Sequence, residues 1–267
     1  MRSWIDCPPC RDLARAAIVL VGLAAAGTAT AGLRAQEGGG GTPQDEPRDT
    51  PEPAAQEPAE PDPATLAPPK DAAELFAWLR KVEGLEARFA EEKRMQLLAV
   101  PLRSSGRIWF LRGGYLARHV EKPEPSRVRI TPKALTTVDA DGEETIDLRG
   151  SPELRLFVTS LVKVFSGDAE GLGSAFRVEF APDAERERGW TLALTPKERP
   201  LTEMLRRLAV VGTGRAIQRI VVEAPNGDRT VTRILDADPR RTFTPAQKLE
   251  LFGIAPERAP AESGTGR

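Results

Sequence analysis

From Leu85 to Leu235 the chain is cut into short runs in which apolar and polar residues alternate, most of them closed by a few residues of turn chemistry. "SRVRI" is the plainest case: Val128 and Ile130 fall on one face, Arg127 and Arg129 on the other. Alternation of this kind has the period of a half-buried strand, because successive side chains point to opposite faces. Other such runs include "LEARFAEE", "SGRIWFL", "YLARHVE", "ALTTVD", "ETIDL", "AFRVEFA", "WTLALTPK", "LRRLAVV", "AIQRIVVE" and "RTVTRIL". Connections such as "DADG" (Asp139–Gly142), "GTG" (Gly212–Gly214) and "PNGD" (Pro225–Asp228) suit hairpins. A parallel return would need a dozen residues or more. The pattern predicts an antiparallel meander with its helices set apart from the strands, an α+β fold.

Two segments carry the helical period instead. "DAAELFAWLR" opens with the D-x-x-E capping spacing at Asp71, and Leu75, Phe76, Leu79 and Val82 then recur at helical intervals. "SPELRLFVTSLVKVFSG" interrupts the strands. Ser151 suits its N-cap, Pro152 its first turn and Gly167 its C-terminal stop. Leu154, Phe157, Val158, Leu161, Val162 and Phe165 make a broad apolar face, leaving Arg155, Thr159, Ser160 and Lys163 outside. A helix so patterned must lie on something apolar. "TFTPAQKLELFGI" predicts a strand remnant and a short closing helix.

The N-terminal quarter has a different composition. Arg2, Arg11 and Arg15 precede the apolar run "AAIVLVGLAAAG" and then "ATA" at Ala29–Ala31, the pattern of a secretory signal. The expected organisation is a signal peptide over 1–31, a disordered Pro/Glu/Ala-rich linker over 32–69, a folded domain over 70–256 and a disordered tail over 257–267. Cys7 and Cys10 have C-x-x-C spacing but precede the apolar run, and they are the only cysteines. The mature chain is thus expected to lack disulfides, thiolate nucleophiles and cysteine metal ligands, and to be soluble once exported. Residues 1–35 carry a net charge of +2 and residues 36–69 a net of −7; against −1 for the whole chain, this leaves +4 from Lys70 onward. That mild excess is far from the clustered basic composition of a nucleic-acid binder.

Catalytic chemistry has few residues to use. The single histidine, His119, lies within a strand between Arg118 and Val120 and reads as a partly packed strand residue. The mature chain contains no H-x-x-x-H or D-x-D metal spacing. The neighbours Glu91 and Glu92, and Glu143 and Glu144, point to opposite faces of their strands and are expected to be solvated. The chain therefore predicts no enzyme, no cofactor and no metal ion.

The order of elements resembles the LolA-type outer-membrane lipoprotein carriers of the bacterial periplasm, over roughly Ala72 to Ile254. The likeness rests on the opening helix followed by "LEARFAEE", on "GRIWFLRGGYLARH", on the "ALTTVDADGEE" hairpin, on the lone amphipathic helix ending in "VFSGD", on "WTLALTPK" and on "FTP" at Phe243–Pro245. The resemblance implies an open, curved antiparallel β half-barrel with amphipathic helices packed in or over its concave face, and an apolar cavity for acyl chains. Candidate cavity residues are Trp109, Leu111, Leu116, Phe157, Leu161, Phe165, Trp190, Leu192 and Leu194. Trp190, Leu192 and Leu194 are expected to face the cavity or its floor; the alternative, for each taken singly, is an ordinary core.

Arg112 matches the family's basic residue after the aromatic strand, which bonds to a helical lid; the alternative is a solvated strand-end arginine. Gly113 stands where the family usually has proline. The implied function is a monomeric carrier that takes acyl chains of lipoproteins, or related lipids, from an inner-membrane lipoprotein-release transporter to an outer-membrane acceptor. The alternative is a periplasmic sensor or adaptor that uses the same half-barrel to bind a protein.

Overall fold

The computed structural model describes residues 62–256. The expected signal peptide and C-terminal tail, and most of the expected linker, lie outside them. Described chain begins at Asp62, before the expected boundary at residue 70. Pro63–Thr65 form one 3-10 turn, held where Arg215 donates its backbone N–H to the Pro63 carbonyl (2.8 Å) and Arg188 its Nη1 to the Thr65 carbonyl (2.8 Å).

Eleven strands make one sheet: β1 Gly84–Arg94, β2 Leu102–Leu111, β3 Tyr115–Lys122, β4 Ser126–Ile130, β5 Ala134–Asp139, β6 Gly142–Asp147, β7 Phe176–Pro182, β8 Gly189–Pro196, β9 Arg207–Thr213, β10 Ala216–Glu223 and β11 Arg229–Asp238. Their spatial order is β6-β5-β4-β3-β2-β1-β11-β10-β9-β8-β7, and every neighbouring pair is antiparallel. Two hairpin-linked arms meet at β1 and β11, as the short turns predict. The chain leaves one arm at edge strand β6 and enters the other at the opposite edge, β7. Only residues 148–175 connect them, so this segment must cross a face of the sheet.

It crosses as two helices, α2 (Pro152–Ser166) and α3 (Ala169–Ala175). Leu154 and Val158 of α2 pack with Val128, Ile130 and Leu135 of one arm. Phe157 and Val164 pack with Leu192, Leu194, Leu208 and Val210 of the other. Strands β4 and β9 stand six places apart, which in a flat sheet would separate them by about 29 Å at ~4.8 Å per strand. Val128 and Leu208 nevertheless border one cavity with Phe157. The sheet must therefore curl around α2, giving the expected open, curved form.

Helix α1 (Ala72–Leu79) starts where Asp71 accepts the Glu74 backbone N–H (2.8 Å), and it lays Leu75, Phe76 and Leu79 into the same core. Ser151 occupies the N-cap of α2 but makes no capping hydrogen bond. Gly167 closes α2 at φ +70°, and the Cβ of any other residue there would lie 2.5 Å from the Phe76 carbonyl oxygen. Arg80 Nη1 donates to the Gly167 carbonyl (3.2 Å), so the ends of α1 and α2 are joined. The sequence pattern passes over α3, whose Gly171 and Gly173 interrupt the helical period; Asp168 caps it by accepting the Gly171 N–H (2.9 Å). A short α4 (Leu201–Met204) precedes β9. Helix α5 (Pro245–Phe252) has the reciprocal Thr244–Gln247 capping box, and it packs on the convex side of the sheet.

Candidate functional site

The hollow inside the sheet is only partly filled. Under β7 and β8 it is solid. Trp190 is wholly buried, donates its indole Nε1–H to the Gly214 carbonyl (2.8 Å) and stacks on Phe180. Its ring lies over Gly212, where an added Cβ would come within 2.1 Å of the indole. Trp190, Leu192 and Leu194 pack among Leu75, Phe76, Leu172 and Phe176. They face inward, as their alternation predicts, but they border neither cavity and form ordinary core.

Under β1, β2, β10 and β11 there is empty space. A cavity of about 420 Å³ is bounded by Trp78, Leu79 and Val82 at the end of α1, by Leu85, Ala87, Ile108 and Phe110 from β1 and β2, and by Ile217 and Ile234 from β10 and β11. Asp62 and Pro63 reach its margin. This volume lies within the ~300–1,000 Å³ usual for small-molecule sites. The cavity is partly open to solvent at its margin, where Asp62, Gln218 and Asp236 line it. A space of this size must hold water or a ligand.

A second cavity, about 90 Å³, lies deeper along α2 and is bordered by Leu116, Val128, Phe157, Leu161, Val164, Leu208 and Ile220. Ile108 and Phe165 border both cavities, so they form the partition between them. Of the candidate cavity residues, Leu116, Phe157, Leu161 and Phe165 therefore line the hollow.

Trp109 and Leu111 do not. Register pairs Trp109 with Ala117 and Phe110 with Leu116, which puts the odd-numbered side chains of β2 on the convex face. There Trp109 and Leu111 pack with Tyr115, Phe243, Leu251 and Phe252 beneath α5. The inward residues are Ile108 and Phe110. In "IWFL" every position is apolar because both faces of β2 are covered, so alternation could not choose the phase. His119 is also on the convex face, edge-on to Trp109 at 4.7 Å, and burial followed by the Arg127 charge pulls its pKa below the ordinary histidine range.

Arg112 is not a solvated strand end. Its Nη2 donates to the carbonyls of Leu79 (3.3 Å), Arg80 and Val82 (2.6 Å), and its Nε lies 2.7 Å from the Glu83 carboxylate. These carbonyls are at and just beyond the C-terminus of α1, where a cation is favoured by the helix dipole. Arg112 thus holds the end of the helix that walls the larger cavity. The next residue, Gly113, has φ +100°, a conformation closed to proline.

The deeper cavity has one polar side. Glu91 and Arg118, 6% and 5% exposed, are paired at 2.9 Å. Glu91 also accepts from Thr232 Oγ1 (2.7 Å) and Ser104 Oγ (3.4 Å), and the Arg118 guanidinium lies 4.4 Å above the Phe89 ring. The expectation that Glu91 is solvated is therefore corrected, although Glu92 does face outward and pairs with Arg94 (2.9 Å) and Arg103 (3.5 Å). Lys93 is the next inward residue on β1; burial pulls its pKa down, partly offset by Asp228 and Glu91. The signal that could have revealed the pair is the phase: Glu91 alternates with Phe89 and Ala87, and Arg118 with Leu116 and Val120.

At the far end of β1, the turn to β2 exposes Leu97 (91%), Leu98 (44%) and Val100 (72%). The turn is held to the β10–β11 connection, where the Gln96 N–H donates to Asp228 Oδ1 (3.0 Å). Among the described residues, no helix is long and apolar enough to cross a membrane.

No family model matches the sequence, and no curated protein matches it. Several solved structures do. A LolA superfamily protein from Nitrosomonas europaea is 12% identical, with 65% of this chain and 94% of that one covered at a TM-score of 0.38. A DUF1329 family protein from Desulfovibrio piger is also 12% identical, with 67% and 96% covered at 0.38. The MucA/MucB complex of Pseudomonas aeruginosa matches at 12% identity, with 63% and 56% covered at 0.39. At this low sequence identity, LolA superfamily proteins and MucB are among the solved structures to which the chain is similar.

Proposed function

We propose that the protein is a non-catalytic carrier that lodges an acyl chain of a lipoprotein or related lipid in the larger cavity. The observation that carries this reading is the cavity of about 420 Å³ on the concave face, walled by α1 and by apolar residues of four strands. At ~0.8 kcal/mol per buried methylene, an acyl chain of ordinary length recovers on the order of 10 kcal/mol there. That is enough to keep it out of water, and a movable wall can trade against it. α1, held by Arg112 and by the Arg80–Gly167 contact, is the element placed to act as that wall.

The expected signal peptide and linker give the setting: a periplasmic chain that receives lipid from inner-membrane machinery and yields it to an outer-membrane acceptor. The test is lipid extraction and mass spectrometry of protein purified from the periplasm. Acyl species at about one per chain support carriage. Lipid-free protein that also fails to bind fatty-acid probes overturns it.

A second reading, an adaptor for a protein partner, is favoured by the exposed Leu97, Leu98 and Val100. It expects lipid-free protein co-purifying with a partner at fixed stoichiometry, and loss of that partner on Leu97→Ser.

A further inference from the structure

Glu91 and Arg118 sit where an acyl-chain cavity has least use for charge. Removing an ion pair from water is costly, and apolar residues of similar volume are often as stabilising. Yet the pair lies on the wall of the deeper cavity, with Thr230 and Thr232 beside it and apolar side chains opposite. Their donors and acceptors are unequally used. Glu91 accepts from Arg118, Thr232 and Ser104. Arg118 brings five N–H donors and, among the described residues, gives one hydrogen bond, to Glu91. Its guanidinium carbon lies 4.4 Å over the Phe89 ring, which holds it in place beside Glu91. What this wall offers an incoming group is hydrogen-bond donation, so the matching group is an acceptor.

We infer that the deeper cavity is a head-group subsite in which Arg118, oriented by Glu91 and Phe89, receives the carbonyl oxygen of a single-chain amphiphile whose tail fills the larger cavity. This rests on the acyl-chain reading above. Ile108 and Phe165 border both spaces, so a head at Arg118 directs its chain past Phe165 towards α1. At ~30 Å³ per water, the deeper cavity holds the volume of about three waters. That admits a carboxyl or ester group and little more. The carbonyl has two sources of that size: the carboxylate of a free fatty acid, or the neutral ester or amide of a head as small as a methyl group.

The experiment is displacement of a fluorescent apolar dye from delipidated protein by hexadecanoate, methyl hexadecanoate and hexadecane. Either carbonyl compound should displace the dye at about tenfold lower concentration than the hydrocarbon, or better, as expected for a hydrogen bond to a charged group. Hexadecanoate ahead of its ester identifies the free acid; equal potency identifies the neutral carbonyl. The double variant Glu91→Leu/Arg118→Leu removes both charges together, so neither is left buried alone. It should bind all three equally. Thr230→Val, which leaves the pair intact, should keep most of the preference. If wild-type protein binds all three with one affinity, the subsite is refuted while the carrier reading stands. If it binds none, both fall.

Discussion

Beneath β7 and β8 the concave face is packed to contact, with Trp190, Leu192 and Leu194 locked against Leu75, Phe76 and Leu172. Beneath β1, β2, β10 and β11 the same face borders about 420 Å³ of vacant space. Both regions belong to one sheet and both turn apolar residues inward. They differ in what is laid against them. The first receives α3 and the leucine and phenylalanine face of α1. The second receives Trp78 and Val82 at the end of α1, Phe165 at the end of α2, and small wall residues such as Ala87, Ala216 and Ala237. One end anchors the fold, which frees the other to stay incomplete.

The contrast can be broken by substitution. Trp190→Ala in the solid region should cost about 3–5 kcal/mol, read by guanidinium unfolding, because a buried aromatic and its hydrogen bond to Gly214 are lost. If it cost no more than a change at the vacant end, the two regions would not differ. Gly167→Ala comes next, at about 1–3 kcal/mol, since the site combines φ +70° with a 2.5 Å approach to the Phe76 carbonyl. It should also weaken dye binding by loosening the joint between α1 and α2.

Ala87→Leu fills the vacant region and should change stability by less than about 1 kcal/mol while lowering dye capacity severalfold. Equal losses of stability and binding would contradict the picture. The smallest effect lies on the convex face. His119 has a lowered folded-state pKa, so the unfolded chain binds the proton more readily below about pH 6.5. Stability should therefore fall as pH drops through that value towards the folded pKa, and His119→Gln should flatten this part of the curve.

Much of this division was hidden in the sequence for physical reasons. Strands and hairpins were legible because alternation and turn chemistry are local: "SRVRI" folds with Val128 and Ile130 inward, and "DADG" turns β5 into β6. The inward phase of β8 was legible too, because Thr191 and Ala193 separate Trp190, Leu192 and Leu194. The phase of β2 was not. Trp109 and Leu111 are covered by Phe243 and Phe252, which arrive more than 130 residues later. Whether an inward residue meets a helix or a void depends on the path of α1 and α2 across the sheet, which no single strand encodes. Glu91 reads as solvated from sequence, and its pairing with Arg118 goes unforeseen, because a charge on a strand usually faces water.

An unclosed sheet has another consequence. Strands β6 and β7 form its two rims, each with a row of backbone groups facing away from the sheet. Such rows invite a foreign strand to dock and extend the ladder. Along β6 the exposed side chains include Glu143, Glu144 and Asp147, and β7 ends at Pro182, which has no N–H to offer. An open sheet is thereby guarded against stacking with its own copies.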